Sequence, residues 1–169
     1  MFSSDFFFIL NLFVVLVLVG FAFSPLFLGV PFLPTHKKQA LKMLELAGLK
    51  PGMKVIDLGS GAGRLLFLAA SQGATAVGYE LNPFLVLWTR LVILILGKQK
   101  QIKVFYKSIY DADIADADVI LMFLYPPHMK KMTDKLQQVK PDAKILSYTF
   151  SLPGWAPVTH EQGIYLYKK

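Results

Sequence analysis

The first long feature of the chain is apolar with no polar face. From Phe6 to Phe23 the only polar side chain in a run of 18 residues is Asn11. As a helix this run would be roughly 27 Å long, close to the ~30 Å hydrocarbon core of a bilayer. A core helix would show a polar stripe, and a cleaved signal peptide would begin with basic residues, whereas this chain begins Met-Phe-Ser-Ser-Asp. The run therefore reads as a retained membrane anchor over 1–28, followed by a Pro-rich juxtamembrane segment over 29–36 and a domain over 37–169.

Beyond that point the pattern changes to short apolar runs separated by turn residues. Helical spacing of Ala40, Leu41, Met43, Leu44 and Leu46 stops at Gly48, and Pro51-Gly52 makes a turn. Strands are predicted at 54–58, 75–80, 102–106, 118–124 and 143–150, with helices over 64–72, 83–96 and 128–139 between them. A hairpin is predicted around Gln162-Gly163, joining 158–160 to 164–167. Strands alternating with helices predict an α/β, Rossmann-like sheet, mostly parallel and covered on both faces, with the antiparallel hairpin at its end. The 83–96 helix is apolar all round except Thr89 and Arg90, so it should be covered on two sides.

Composition sharpens this division. The chain has 169 residues, 54% hydrophobic and 17% charged, with a net charge of +7. Residues 1–35 carry one acid and no Lys or Arg, so the whole positive balance belongs to the remainder. No cationic residue precedes the apolar run and His36-Lys37-Lys38 follow it, which orients the domain toward the cytoplasm or an equivalent compartment. The aliphatic and aromatic content excludes a disordered or fibrous chain. With no cysteine there is no disulfide framework and no thiolate site.

The chemistry lies in Val55-Ile-Asp-Leu-Gly-Ser-Gly-Ala-Gly63. A strand that runs into Gly59, Ser60, Gly61 and Gly63 and then opens a helix lets backbone N–H groups approach a ligand unobstructed. A dinucleotide fingerprint would place its third glycine at position 64, which is Arg. Asp57, two residues before the first glycine, suits a cationic amino group instead. Glu80 ends the next strand, 17 residues after Gly63, where it can accept ribose hydroxyls. S-adenosylmethionine carries the amino group, the ribose and no phosphate. It is favoured over a nicotinamide or flavin cofactor, and a vestigial site is the third option.

These motifs resemble a known family. Residues 36–169 resemble a compact seven-strand, class I S-adenosylmethionine-dependent methyltransferase. Gly29-Val-Pro-Phe-Leu-Pro-Thr35, Asp57-Leu-Gly-Ser-Gly61 with Gly63-Arg64, Gly78-Tyr-Glu-Leu-Asn-Pro83 and Thr149-Phe-Ser-Leu-Pro-Gly-Trp155 are similar to membrane-anchored lysine methyltransferases. That family acts on the ATP synthase c subunit and the adenine nucleotide translocase, and it has prokaryotic relatives. The resemblance implies cofactor contacts from the glycine loop, Glu80, Leu81 and Asn82, and from Ser108 and Ile109 near the adenine. The prolines of Pro31-Phe-Leu-Pro-Thr35 make this family-like segment a stiff elbow, expected either to pack over the cofactor cleft as a lid with Thr35 near the cofactor, or to be a plain juxtamembrane spacer. Two departures stand out: Ala62 where that family has an acid, and Lys107-Ser108-Ile109 where relatives offer Gly and Asp or Asn.

The methyl acceptor should meet the end of the fourth strand. Amino-methyltransferases often carry Asn/Asp-Pro-Pro-Tyr there, and this chain reads Leu124-Tyr125-Pro126-Pro127. Tyr125 is the candidate catalytic residue, as a proton acceptor or as the wall of a lysine channel; the alternative is a packing tyrosine. His36, His128 and His160 lack metal-ligand spacing, and Asp111, Asp113, Asp116 and Asp118 lack an EF-hand's glycine and glutamate, so no metal is expected. No Gly-x-Ser-x-Gly elbow of a hydrolase is present.

Lys130, Lys131 and Lys135, with Lys140 and Lys144, form a basic face that is either solvated or set against anionic lipid. The expected partners are a membrane-protein substrate and the bilayer, with nucleic acid not expected. The leading function is a membrane-anchored protein-lysine methyltransferase. The alternatives are a methyltransferase for a lipid, quinone or other membrane-soluble molecule, and a cofactor-binding scaffold without turnover.

Overall fold

The computed structural model describes residues 5–9, 11, 12, 14, 15, 19 and 34–169. The chain divides into two units, Met1–Leu33 and Pro34–Lys169. In the first, the described residues are helical and exposed, and the Asn11 amide donates to the Phe7 carbonyl at 2.9 Å. The rest of the expected anchor, and residues 29–33 of the juxtamembrane segment, lie outside the described residues. Among the described residues no helix is long and apolar enough to cross a membrane. The expectation of a single-pass membrane location with a cytoplasmic domain is corrected on that ground, because a span needs about 20 consecutive helical, apolar residues.

The second unit is a seven-stranded sheet. Its strands are β1 (Lys54–Leu58), β2 (Thr75–Glu80), β3 (Ile102–Tyr106), β4 (Val119–Met122), β5 (Lys144–Tyr148), β6 (Thr159–Glu161) and β7 (Ile164–Lys168), in the order β3-β2-β1-β4-β5-β7-β6. β1 to β5 run parallel, and β7 is antiparallel to both β5 and β6. The helices are α1 (Lys37–Leu46), α2 (Arg64–Ser71), α3 (Pro83–Ile95) and α4 (Pro126–Leu136).

Alternation along the strands builds a core on each face of the sheet. Val55, Val119, Leu121 and Leu146 pack with Ala40, Met43 and Leu44 of α1, Leu66 of α2 and Val86 of α3. Ile56, Leu58, Ile120, Met122 and Ile145 pack with Met129, Met132 and Leu136 of α4 and with Tyr167. Each element forms close to its predicted span, with informative differences at β4, α4 and β5. The last helix begins at Pro126, not His128, because proline suits a first helical position whose N–H has no intrahelical partner. β5 ends at Tyr148 because Thr149 turns to φ 71°, a left-handed conformation that a strand cannot continue through.

The expectation of an α3 covered on two sides is met on one. Leu85, Val86, Thr89 and Ile93 are buried, while Leu87, Trp88, Leu91, Leu94 and Ile95 are exposed. No α-helix joins β3 to β4. The connection contains only a 3-10 turn at Ile109–Asp111, so the β2–β3 part of one sheet face has no helix lying on it.

Candidate functional site

The parallel strands β1, β2, β3 and β4 end at one edge of the sheet, and the loops there carry the expected site residues. After β1 the chain turns through Gly59 at φ 86°, and the Gly59 and Ser60 amides donate to the Tyr79 carbonyl at 2.9 and 3.1 Å. Gly63, at φ 80°, precedes α2. A β-carbon on Gly63 would sit 2.7 Å from Thr89 Cγ2, so only glycine lets α3 close on the loop. Gly78 of β2 makes room in the same way: a β-carbon there would lie 2.6 Å from Ser60 Oγ.

Glu80 organises this edge. Its Oε2 accepts the Gly61 N–H at 2.8 Å, and its Oε1 accepts the Leu81 and Asn82 N–H groups at 2.9 and 2.8 Å. Asn82 then caps α3, accepting from the Phe84 and Leu85 amides at 3.0 and 3.3 Å. Thr89, fully buried further along the same helix, donates to the Gly61 carbonyl at 3.3 Å.

Asp57 is 3% exposed at the end of β1. Burial, with the Glu80 charge as a second cause, pushes its carboxyl up to about 8. Ser60 Oγ is buried and has no hydrogen-bond partner among the described residues. A buried carboxyl held against ionisation, a buried hydroxyl without a partner and a loop with glycine at positions 59, 61 and 63 together fit a ligand that brings a cation and hydroxyls. S-adenosylmethionine has both.

Thr35 is buried, and its carbonyl accepts a hydrogen bond from the Arg64 guanidinium at the start of α2. That connects it to the glycine-loop side of the site. Pro31, Phe32 and Leu33 of the expected lid lie outside the described residues. Ser108 Oγ accepts from the Tyr110 amide at 3.3 Å and caps the 3-10 turn, and Ile109 packs on the second core.

Tyr125 sits at the N-cap of α4 and makes no side-chain cap bond. Its ring lies 6.1 Å from that of Phe150, and Phe123 packs between Phe150 and Tyr148 at 6.5 and 5.0 Å. All four rings are half-buried. The turn at Thr149 brings Phe150 back over β4, held by Ser147 Oγ donating to the Phe150 carbonyl at 2.5 Å. The Tyr110 hydroxyl and His128 Nδ1 are 2.7 Å apart, joining the turn after β3 to the first turn of α4.

Sequence reasoning missed the Thr89 bond, the Tyr110–His128 pair and the part played by Phe150. The signal for Thr89 was available, since a lone hydroxyl in an apolar helix needs a buried partner. Phe150 lay within the family-like Thr149–Trp155 motif, but its place over β4 follows from the turn at Thr149, and Tyr110 gave no signal because its position follows from turn geometry.

The comparisons agree with this geometry. The family model for the ANTKMT methyltransferase domain matches residues 57–159. The chain is 37% identical over 141 residues to the mouse adenine nucleotide translocase lysine N-methyltransferase, covering 82% of this chain and 61% of that protein. It is 31% identical to the human ATP synthase c-subunit lysine N-methyltransferase, over 76% of this chain and 55% of that protein. The chain thus spans less than two thirds of the length of these two relatives. A protein-lysine N-methyltransferase of Saccharolobus islandicus is 31% identical, with 76% of this chain and 81% of that protein covered. Among solved structures, an RNA methyltransferase from Salinibacter ruber with S-adenosyl-L-homocysteine is 32% identical at a TM-score of 0.76, covering 80% of this chain and 93% of that one. The chain belongs to the ANTKMT methyltransferase-domain family.

Proposed function

We propose that the chain transfers a methyl group from S-adenosylmethionine to the side-chain nitrogen of a lysine in a protein substrate. The observation that carries this reading is the half-buried aromatic wall of Tyr125, Phe150 and Phe123 at the end of β4 and β5, where amino-methyltransferases usually place Asn/Asp-Pro-Pro-Tyr. The family relatives, named as protein-lysine methyltransferases, support the same acceptor class.

When bound, the cofactor supplies a methyl group activated by a sulfonium. In this reading Asp57 holds the amino cation of the cofactor, and the glycine loop receives the ligand at the strand end. A carboxylate has about four acceptor sites, and three of those on Glu80 are taken by backbone amides. Glu80 therefore accepts one ribose hydroxyl directly, and it reaches the second only if Gly61 releases its bond. Aromatic faces suit the aliphatic stem and the developing methylammonium of lysine, and they exclude water from the reacting nitrogen. The lysine must arrive neutral, so a base has to take its proton. We assign that base to His128, whose Nδ1 lies 2.7 Å from the Tyr110 hydroxyl.

Tritiated S-adenosylmethionine incubated with the chain and a cell extract tests the reading. Label should enter the protein fraction. Label confined to RNA, as the name of the Salinibacter neighbour would suggest, or to the organic extract, would replace it.

A further inference from the structure

The face of β2 and β3 left bare by the missing helix carries a second feature that methyl transfer does not use. Residues alternate across a strand, so Lys103 and Phe105 share one face of β3, and Lys107 follows just past its end. Together with Lys54 and Lys100 they line an open cleft of about 470 Å³. Its centre is aromatic: Phe105 is 42% exposed and stacks on buried Tyr79, with ring centroids 5.6 Å apart at 26°. The Tyr79 hydroxyl is fixed in turn, donating to the Asp113 carbonyl and accepting from the Asp113 amide at 3.2 and 3.1 Å. The exposed ring therefore rests on a rigid support.

The charge around that ring is unbalanced. Lys54 is paired with Asp116 at 2.5 Å, but Lys100, Lys103 and Lys107 make no ion pair among the described residues. Only one carboxylate, Asp113, lines the cleft against them. Three uncompensated cations spread along the cleft, before, within and after β3, call for an extended anion, and an exposed aromatic face beside them calls for a flat, stackable group.

We infer that this cleft binds single-stranded nucleic acid, with the lysines on successive phosphates and a base stacked on Phe105. An acidic polypeptide would satisfy the charges but leave the ring unused. It would also be expected to add as a strand to the free edge of β3, and that route is obstructed. Arg90 of α3 already donates to the outward Val104 carbonyl at 3.3 and 3.1 Å. The open surface is the face, not the edge. This inference is independent of the methyl acceptor.

The test uses the full chain and a fluorescein-labelled oligouridylate, followed by fluorescence anisotropy. Binding should weaken with salt, with a logarithmic slope of about −0.7 per phosphate contact. Lys100→Glu with Lys103→Glu should make that slope shallower by about 1.4 and weaken binding at least tenfold. Phe105→Leu keeps an apolar group on Tyr79 but removes the stacking face, and should cost about tenfold or more. S-adenosylmethionine affinity should be unchanged in each variant, which shows that the domain is folded. Absence of oligouridylate binding at low salt would overturn the inference. So would binding that survives the double Lys substitution, or equal competition by polyglutamate that ignores Phe105→Leu.

Discussion

Glu80 and Gly61 are tied across two strand ends: the carboxylate that closes β2 accepts, at 2.8 Å, the amide in the middle of the loop that follows β1. The same side chain therefore shapes the loop before any cofactor arrives. Glu80→Ala should lower both the thermal stability of the cofactor-free domain and its affinity for S-adenosylmethionine, because three charge-assisted backbone bonds go with it. The affinity loss should be about 10-fold or more. Glu80→Gln, which keeps one acceptor oxygen, should fall between the two. Differential scanning fluorimetry with and without cofactor reads both effects.

Asp57 makes cofactor binding depend on pH. Its carboxyl titrates near 8 in the folded, ligand-free chain against 3.8 when unperturbed. Between those values the folded chain holds a proton that the unfolded chain has lost, so stability should fall as pH rises from about 4 to about 8. A cationic amino group needs the carboxylate, so binding below pH 8 must expel that proton. Affinity should rise about tenfold per pH unit up to about 8 and then level off. Calorimetry in buffers of different ionisation enthalpy should detect the released proton, and Asp57→Asn should abolish both the release and the slope.

Thr149 holds a conformation that β-branched residues avoid, at φ 71°. Glycine adopts it freely, so Thr149→Gly should stabilise the fold by about 1 kcal/mol, read by urea denaturation. Because glycine keeps the same turn, the variant should retain Phe150 over Tyr125 and with it turnover. Phe150→Leu should raise the KM for the acceptor while leaving cofactor affinity intact.

The 2.7 Å contact between Tyr110 and His128 is the positioning element of the proposed base. Tyr110→Phe should lower kcat by about tenfold and shift the acid limb of the pH–rate profile, without altering cofactor affinity. His128→Ala should cost about 100-fold or more. A loss in both variants that is the same at every pH would assign the pair to structure alone.

Much of this was readable from the residues, and the reasons for what was not are physical. The strands surfaced because Val55, Ile56, Val119 and Ile120 are buried on both faces and flanked by turn residues. The glycine loop surfaced because Gly59 and Gly63 occupy positive-φ positions that few other residues tolerate. The ends of β4 and β5 were read too long, since Phe123, Leu124, Thr149 and Phe150 have strand-like composition; at β5 it is the left-handed turn at Thr149 that takes the chain out of the sheet. The interleaving of Lys103, Phe105 and Lys107 was overlooked because its meaning depends on which face of β3 is left bare. That follows from the short β3–β4 connection, not from any local motif. The membrane assignment rested on hydropathy alone, and the described residues contain no spanning helix to support it.

The most direct test of the central claim is the identity of the methylated amino acid. Protein labelled by the chain from tritiated S-adenosylmethionine is hydrolysed in acid and its amino acids are separated. Tritium is expected in methylated lysine, present with the native chain and lost with Asp57→Asn. Tritium in methylated arginine, histidine or a carboxyl ester, or label in lysine that persists in Asp57→Asn, would contradict it.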